Sequence, residues 1–280
     1  MEASEKIFEV AFAETKRRGF DKIEGPLNPS TNYECALLVD GFESSPTVLM
    51  PYNPPYYASH LEHAGFKKAK DLLAFEIRYD SNFNQKLFRR TERSQNNPDI
   101  KIRTVDLSRF DDELKIILDI YNDAWEDNWG FERITADEVK LLAKELKPMI
   151  DPELVLIAEV KGQPAGFTLA VPDYNPAIKT LKNGKLTPLN ILKLLWNLKG
   201  PGKKKHINSI RIITLGVKKD FRDYPLAAPM YVHLYKRGPA KGYMRGEASW
   251  ILEDNGPMVA GLRLMGASQT KRYRLYEKKL

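Results

Sequence analysis

Residues 215–227 read Leu-Gly-Val-Lys-Lys-Asp-Phe-Arg-Asp-Tyr-Pro-Leu-Ala, and the rest of the fold can be argued from this stretch. An apolar strand ends near Val217, a polar turn follows, and Pro225 is suited to be the first residue of a helix. Free backbone N–H groups at such a helix start bind anions, and the helix dipole adds to the attraction. The stretch therefore predicts a strand–turn–helix unit that binds phosphate.

A second strand–helix unit follows within 30 residues. Residues 247–255 read Glu-Ala-Ser-Trp-Ile-Leu-Glu-Asp-Asn, and Pro257 then opens a helix that closes at Gly266. Upstream, residues 101–171 predict a strand, two helices and two strands, with Thr135 and Glu138 forming a capping box. Strand–helix–strand units of this length indicate crossover connections and a partly parallel sheet.

These two units resemble the GCN5-related N-acetyltransferase superfamily. That superfamily has Arg/Gln-x-x-Gly-x-Gly/Ala between a strand and a helix, and here Arg222 matches the first position and Ala227 the last. The resemblance implies an α/β fold with a mixed, centrally splayed sheet and helices on both faces. It also implies acetyl-coenzyme A or another acyl-coenzyme A as co-substrate. The residues implied to bind it are Leu215, Gly216, Val217, Arg222, Asp223, Tyr224, Leu226, Ala227 and Asn255.

Two positions depart from the superfamily pattern. Pro225 stands where the superfamily has glycine, and proline has no N–H to donate to a phosphate. Leu262 stands seven residues after Asn255, where many members have the tyrosine that protonates the leaving thiolate. The sequence therefore leaves two readings: an acyl-coenzyme-A-dependent N-acyltransferase acting on an amine, and an inactive copy of the fold that serves as a binding or assembly module.

Three side chains are candidates for the proton transfer that an amine attack on a thioester requires. They are Glu247, Ser249 and Glu253, and we assign the catalytic role to Ser249 and Glu253. A structural alternative for Glu253 and Asp254 is that they cap the helix that follows them.

The amino-terminal part echoes the second half of the carboxy-terminal part. Asn53-Pro-Pro opens a short helix that closes at Gly65, as Asn255-Gly-Pro opens one that closes at Gly266. Shared helix-capping chemistry accounts for part of this echo. We predict a partial half-domain over residues 1–80, a polar linker over 81–100 and an acyltransferase domain over 101–280. A half sheet leaves an unpaired edge, so it must pack on the other domain or on a second chain, which suggests a homodimer.

Several apolar groups have two readings. Trp125, Trp129 and Phe131 either shape a pocket for the acceptor or pack in the core. The apolar segment Leu186–Leu198 predicts a helix that packs on the body or a partner subunit, or that closes over an acyl chain. Thr47–Met50 predicts a strand.

Composition limits the remaining classes. The chain has 280 residues and a net charge of +7, with basic groups clustered at Lys199, Lys203–Lys205 and the carboxy terminus. These clusters are either solvated surface or an attraction for an anionic ligand, and no nucleic-acid module accompanies them. One cysteine, Cys35, and four histidines predict neither a disulfide nor a metal site. No leader or membrane-spanning segment is evident, so we expect a cytoplasmic protein with a small-molecule or peptide amine as acceptor.

Overall fold

The structure, a computed structural model, describes residues 2–79, 91, 97–181, 184–200, 202 and 206–280. The predicted linker over 81–100 and the lysine cluster 203–205 lie largely or wholly outside the described residues.

Helices and strands are interspersed along the chain, and they alternate strictly over residues 209–279. The helices are α1 (Glu2–Arg17), α2 (Tyr56–His63), α3 (Phe110–Ala124), α4 (Ala136–Leu146), α5 (Asn175–Ile178), α6 (Pro188–Leu198), α7 (Ala227–Ala240) and α8 (Gly256–Leu264). The strands are β1 (Lys22–Gly25), β2 (Leu37–Asp40), β3 (Lys67–Arg78), β4 (Ile100–Thr104), β5 (Val155–Val160), β6 (Gln163–Pro172), β7 (Ser209–Val217), β8 (Arg245–Leu252) and β9 (Ser268–Lys279). The predicted capping box at Thr135 and Glu138 opens α4.

The described strands form one nine-stranded sheet in the order β1-β9-β3-β8-β7-β6-β5-β4, with β2 also paired to β9. Strands β4 to β7 form an antiparallel meander, whereas β7 and β8 run parallel. The crossover from β7 to β8 passes through α7, as parallel neighbours require. The predicted mixed α/β sheet is confirmed.

Strand β3 comes from the amino-terminal segment, yet it lies between two strands of the carboxy-terminal segment. Leu72 pairs with Leu252 of β8 on one side and with Tyr273 of β9 on the other. Asp71 adds a buried ion pair, because its carboxylate accepts from Arg274 Nε at 2.7 Å. The edge that a half sheet would leave unpaired is thus paired within the same chain. The proposed half-copy relationship and its domain boundaries stay a prediction.

Helices cover both faces of the sheet, because alternate residues of each central strand point to opposite sides. Ile157 and Phe167 lie on one face and pack with Ile120 of α3. Leu156 lies on the other face, in a core cluster that includes Met230 of α7. The central strands are therefore buried on both sides. This arrangement confirms the predicted layers.

Three local predictions need correction. Helix α7 begins at Ala227, so Pro225 lies two residues before it and is not its first residue. Residues 47–50 form a turn rather than a strand, because Asp173 and Arg211 take up the polar backbone atoms of Val48.

Helix α6 exists as predicted, and Leu198 at its end packs against the core, but most of its apolar side does not pack on the body. Leu189 and Leu192 are 78% and 65% exposed, whereas the polar Asn197 is buried.

Candidate functional site

A cleft opens where the two parallel strands at the centre of the sheet separate. Strands β7 and β8 pair only from Ser209–Arg245 to Ile212–Ala248, and beyond this point their partners lie elsewhere. The resulting cleft has a volume of about 790 Å³ and is lined by both strands, α7 and α8. The splayed centre that the resemblance implies is therefore present in the structure.

The start of α7 lies at the wall of this cleft with free backbone donors. Among the described residues, no group accepts a hydrogen bond from the amides of Ala227 or Ala228. Arg222 lines the same cleft, and its guanidinium donates to the Ala124 carbonyl at 3.2 Å. Two N–H groups at the positive end of a 14-residue helix, with a cation in the same cleft, form a site for an anion.

The structure brings most of the predicted coenzyme residues to the cleft, but not all. Leu215, Gly216, Val217, Arg222, Ala227 and Asn255 line it. Leu226 and Tyr224 instead belong to the hydrophobic core behind the turn, and Asp223 is on the exposed side. The side chains of this turn point some to the cleft and some to the core, so residues that are neighbours in sequence have different surroundings.

Asn255 caps a helix as well as lining the cleft. Its Oδ1 accepts from the Met258 amide at 3.2 Å and caps α8, which excludes Glu253 and Asp254 from that role. Leu262 lies two turns into α8 and lines the same cleft.

A second, apolar cavity lies between α3, α4 and the sheet. Its volume is about 460 Å³, within the range of small-molecule sites. Three aromatic residues that we considered for an acceptor pocket all line this cavity, namely Trp125, Trp129 and Phe131. Its deeper wall is formed by aliphatic side chains, namely Leu114, Ile117, Leu118, Val139, Leu142, Leu146, Met149 and Ile150.

The cleft and the apolar cavity meet at the point where β7 and β8 separate. Trp125 packs directly on β7 there, and a Cβ at Gly216 would overlap its ring. Thr214 lies at the same junction, and its buried hydroxyl has no hydrogen-bond partner among the described residues. A buried hydroxyl without a partner indicates that a bound ligand supplies the missing hydrogen bond. The residues shared by both cavities are Trp125, Asn128, Trp129, Ile213, Thr214, Trp250 and Leu252.

A buried polar network adjoins the junction. Ser249 lines the cleft, and its Oγ accepts from Arg211 Nε at 3.1 Å and donates to Glu247 Oε1 at 2.7 Å. Thr47 donates a second bond to the same carboxylate oxygen at 2.6 Å. Burial lowers the pKa of Arg211 to about 10, but the group still carries its charge at neutral pH. Ser249 is thus placed between a buried cation and a buried carboxylate.

Glu247 also faces a third cavity on the far side of the network. This cavity is about 750 Å³ in volume and is lined mostly by polar residues, among them Arg245 and Lys271, and we call it the polar cavity. A carboxylate in contact with both the cleft serine and this cavity can accept a proton from one side and release it to the other.

Glu253 does not lie in the cleft. Its carboxylate accepts from Lys68 Nζ at 2.6 Å and from the Asp71 amide at 3.0 Å, both on β3. These contacts tie β8 to the amino-terminal segment. The geometry therefore favours Glu247 over Glu253 as the carboxylate partner of Ser249.

The residue that sequence reasoning missed is Arg211. It interrupts the apolar run Ser-Ile-Arg-Ile-Ile-Thr-Leu of β7, and a charge inside a buried strand is a signal for a buried partner. Val48 and Leu49, whose carbonyls each accept from Arg211 at 3.0 Å, lie 162 or more residues away and carry no such signal.

The sequence has two curated relatives over nearly its whole length. It is 39% identical over 278 residues to bacterial ceramide synthase from Caulobacter vibrioides, a match that covers 98% of this chain and 71% of that protein. It is 35% identical over 279 residues to protein YghO from Escherichia coli, covering 98% and 70%. The chain belongs to the family of these two proteins. No family model matches the sequence.

The family's fold is that of the GCN5-related N-acetyltransferases. The structure resembles a GCN5-related N-acetyltransferase from Sphaerobacter thermophilus with a TM-score of 0.53, over 82% of this chain and 59% of that one. The sequence identity is 15%, so the likeness shows the fold alone. Within the described part of this family member, no helix is long and apolar enough to cross a membrane.

Proposed function

We propose that the protein is an N-acyltransferase that moves a fatty acyl group from coenzyme A to the amine of a long-chain acceptor. The observation that carries this proposal is the junction of two cavities, one with anion-binding amides and one with an apolar wall, at the splayed strands. In the reaction the amine nitrogen bonds to the acyl carbon, the carbon–sulfur bond breaks, and coenzyme A leaves as a thiol.

The residues of the cleft fit an acyl-coenzyme A. The amides of Ala227 and Ala228 and the Arg222 guanidinium would hold the pyrophosphate, and the β7–β8 gap would hold the pantetheine arm. Pro225, just before α7, and Pro229, in its first turn, have no backbone N–H to donate. The positive charge of Arg222 therefore contributes a larger share of the phosphate binding. The bound molecule would supply an activated acyl thioester.

The apolar cavity is suited to a hydrocarbon chain. Its walls come from α3 and α4 and include Trp125 and Phe131, with aliphatic side chains beyond them. Burying each methylene of a chain there contributes about 0.8 kcal/mol. The relative named bacterial ceramide synthase supports a long-chain amine, because ceramides are N-acylated sphingoid bases. We therefore assign the acceptor's chain to this cavity.

Ser249 and Glu247 would remove the proton that the attacking amine loses. The amine proton passes to Ser249 Oγ while the serine proton passes along its 2.7 Å hydrogen bond to Glu247. Arg211 stabilises the serine oxygen during this exchange, because it donates to that atom. Ser249 keeps the catalytic role inferred from the sequence, and Glu247 takes the one first assigned to Glu253.

Tyr231 would replace the acid that Leu262 cannot supply. It lines the cleft from α7, and its hydroxyl donates to Met258 Sδ at 3.4 Å, one turn before Leu262 on α8. Burial raises the pKa of Tyr231, so the phenol is protonated in the resting site at neutral pH. A thioether is a weak acceptor, which leaves this donor available for a stronger one.

We retain three further proposals from the sequence. The amino-terminal 80 residues are a half copy of the fold, this segment mediates a homodimer through a surface other than the β3 edge, which is paired within the chain, and the protein acts in the cytoplasm. Gel filtration with light scattering tests the dimer directly.

The experiment is a turnover assay with fatty acyl-coenzyme A and a sphingoid base, following thiol release and detecting the amide product by mass spectrometry. A thermal-shift titration with coenzyme A accompanies it, on the wild type, Arg222→Ala and the matched control Arg17→Ala on the exposed side of α1. We expect turnover, and a saturable shift that weakens only in Arg222→Ala; stabilisation reaches about 2.7 kcal/mol at 100 times the dissociation constant. A folded protein with neither shift nor turnover would instead be the inactive binding module.

A further inference from the structure

Helix α6 exposes most of its apolar side chains, although Leu198 at its end packs against the hydrophobic core. Leu189, Leu192 and Trp196 lie at helical spacing on one face, and they are 78%, 65% and 59% exposed. Leu195 and, just before the helix, Leu186 extend the same apolar surface. We call these five residues the α6 surface.

The polar side of α6 holds the helix on the body. Asn197 is buried and donates to Thr180 Oγ1 at 3.0 Å, and Lys193 Nζ donates to the Thr180 carbonyl at 2.9 Å. The orientation of the helix is therefore fixed by specific hydrogen bonds, with the apolar side turned outward. A fixed exposed patch of this kind marks an interaction surface.

The charged residues in the chain segment that carries the α6 surface are of one sign. The sequence has no aspartate or glutamate between Asp173 and Asp220. Lys185 and Lys199 flank the two ends of α6, both are exposed, and neither has a carboxylate partner among the described residues. An apolar face of leucine and tryptophan between lysines is the composition of helices that lie in the interface of an anionic bilayer.

We propose that the α6 surface docks the protein on an anionic lipid membrane, with α6 lying parallel to the bilayer plane and its leucines and Trp196 among the acyl chains. A second copy of this chain is a poorer occupant, because a two-fold interface would bring Lys185 and Lys199 of one copy against the same two lysines of the other. The helix has 11 residues, which suits the interface and is too short to span the bilayer. The docking stands independently of the acyl-transfer proposal.

The test is flotation of the full chain with vesicles of phosphatidylcholine alone and of phosphatidylcholine mixed with phosphatidylglycerol. The wild type is compared with Leu189→Glu/Leu192→Glu, and Leu141→Glu is the matched control, since Leu141 is 58% exposed on α4. Circular dichroism verifies that each variant is folded. We expect flotation with the anionic vesicles, a fall of at least about tenfold in partition for the double variant, and no change for the control.

Added salt should weaken the partition of the wild type, because exposed charges are screened. Two results would overturn the proposal: a wild type that does not float with anionic vesicles, or a folded double variant that floats as well as the wild type. A wild-type dimer that the double variant dissociates, without vesicle binding, would assign the α6 surface to a second copy instead.

Discussion

The hydroxyl of Ser249 donates to Glu247 Oε1 at 2.7 Å, two positions earlier on the same strand, and both side chains are buried. Residues two apart in a strand point to the same face, so β8 holds the two groups together without help from a loop. Ser249 lines the cleft between β7 and β8, and Glu247 borders the polar cavity behind it. In the proposed mechanism this pair connects the reaction site to a place where a proton can leave.

The first prediction concerns Glu247. We expect Glu247→Gln to lower kcat about 100-fold or more, because the amide keeps the shape but cannot accept the proton from Ser249. The KM for acyl-coenzyme A should change little, since Glu247 is remote from the phosphate turn. Steady-state thiol release measures both constants.

Glu253→Gln is the matched control for that substitution. Its carboxylate pairs with Lys68 on β3, so we expect a small loss of thermal stability and a kcat near that of the wild type. A large fall in kcat for Glu253→Gln with an unaffected Glu247→Gln would restore Glu253 as the catalytic carboxylate.

Sequence patterns predicted the fold well because the decisive features are local. The turn after β7 needs a strand end, Arg222 and a helix start, and all three are visible within 13 residues. The resemblance assigns Asp223, Tyr224 and Leu226 to the coenzyme only because of their positions in the motif. In the structure the side chains of Tyr224 and Leu226 pack in the core, because successive residues of this turn point in different directions.

The network around Arg211 could not be assembled from the sequence in the same way. Arg211 and Glu247 are neighbours on β7 and β8, but Val48 reaches them only because the amino-terminal segment inserts β3 beside β8 and carries the 47–50 turn to the network. That insertion depends on tertiary contacts, and no local sequence pattern predicts it. A buried charge in β7 indicates that a partner exists, but not which residue supplies it.

The second prediction concerns Tyr231. We expect Tyr231→Phe to lower kcat by about 100-fold while leaving coenzyme A affinity unchanged, because only the hydroxyl that protonates the thiolate is lost. The thermal shift with coenzyme A measures the affinity separately from turnover. Adding Leu262→Tyr to this variant should recover part of the rate, since it places a phenol at the superfamily's own position. An unaltered kcat in the single variant would remove Tyr231 from the mechanism.

The third prediction tests the contents of the apolar cavity. Ala143 on α4 is buried and lines the cavity, so Ala143→Phe fills part of it. We expect KM to rise for long-chain amines and to stay the same for short ones, with about 0.8 kcal/mol lost for each methylene excluded. Leu141→Phe, on the exposed side of the same helix, is the control. If the dependence on acyl-coenzyme A length shifts instead, the cavity holds the acyl chain.

The fourth prediction concerns Asp71, which joins β3 to β9 through Arg274 and is paired with Lys68 at 3.2 Å. Burial alone raises the pKa of this carboxyl, but the hydrogen bonds from Arg274 and Lys68 outweigh it and hold the pKa below its ordinary value. A group whose pKa is lower in the folded state stabilises the fold above its unfolded pKa. That contribution is lost as the pH falls through the folded pKa.

We therefore expect Asp71→Asn to lower the free energy of unfolding by about 2 kcal/mol at neutral pH, because Arg274 loses its carboxylate partner while Lys68 keeps Glu253. The difference from the wild type should shrink as the pH falls below about 4, where the wild-type carboxyl also loses its charge. Urea unfolding at several pH values measures this difference. Glu14→Gln on α1 is the control, because its partners Arg17 and Arg18 are exposed and its loss should change stability little. A pH-independent difference for Asp71→Asn would mean that side-chain packing, rather than the ion pair, joins the amino-terminal segment to the sheet.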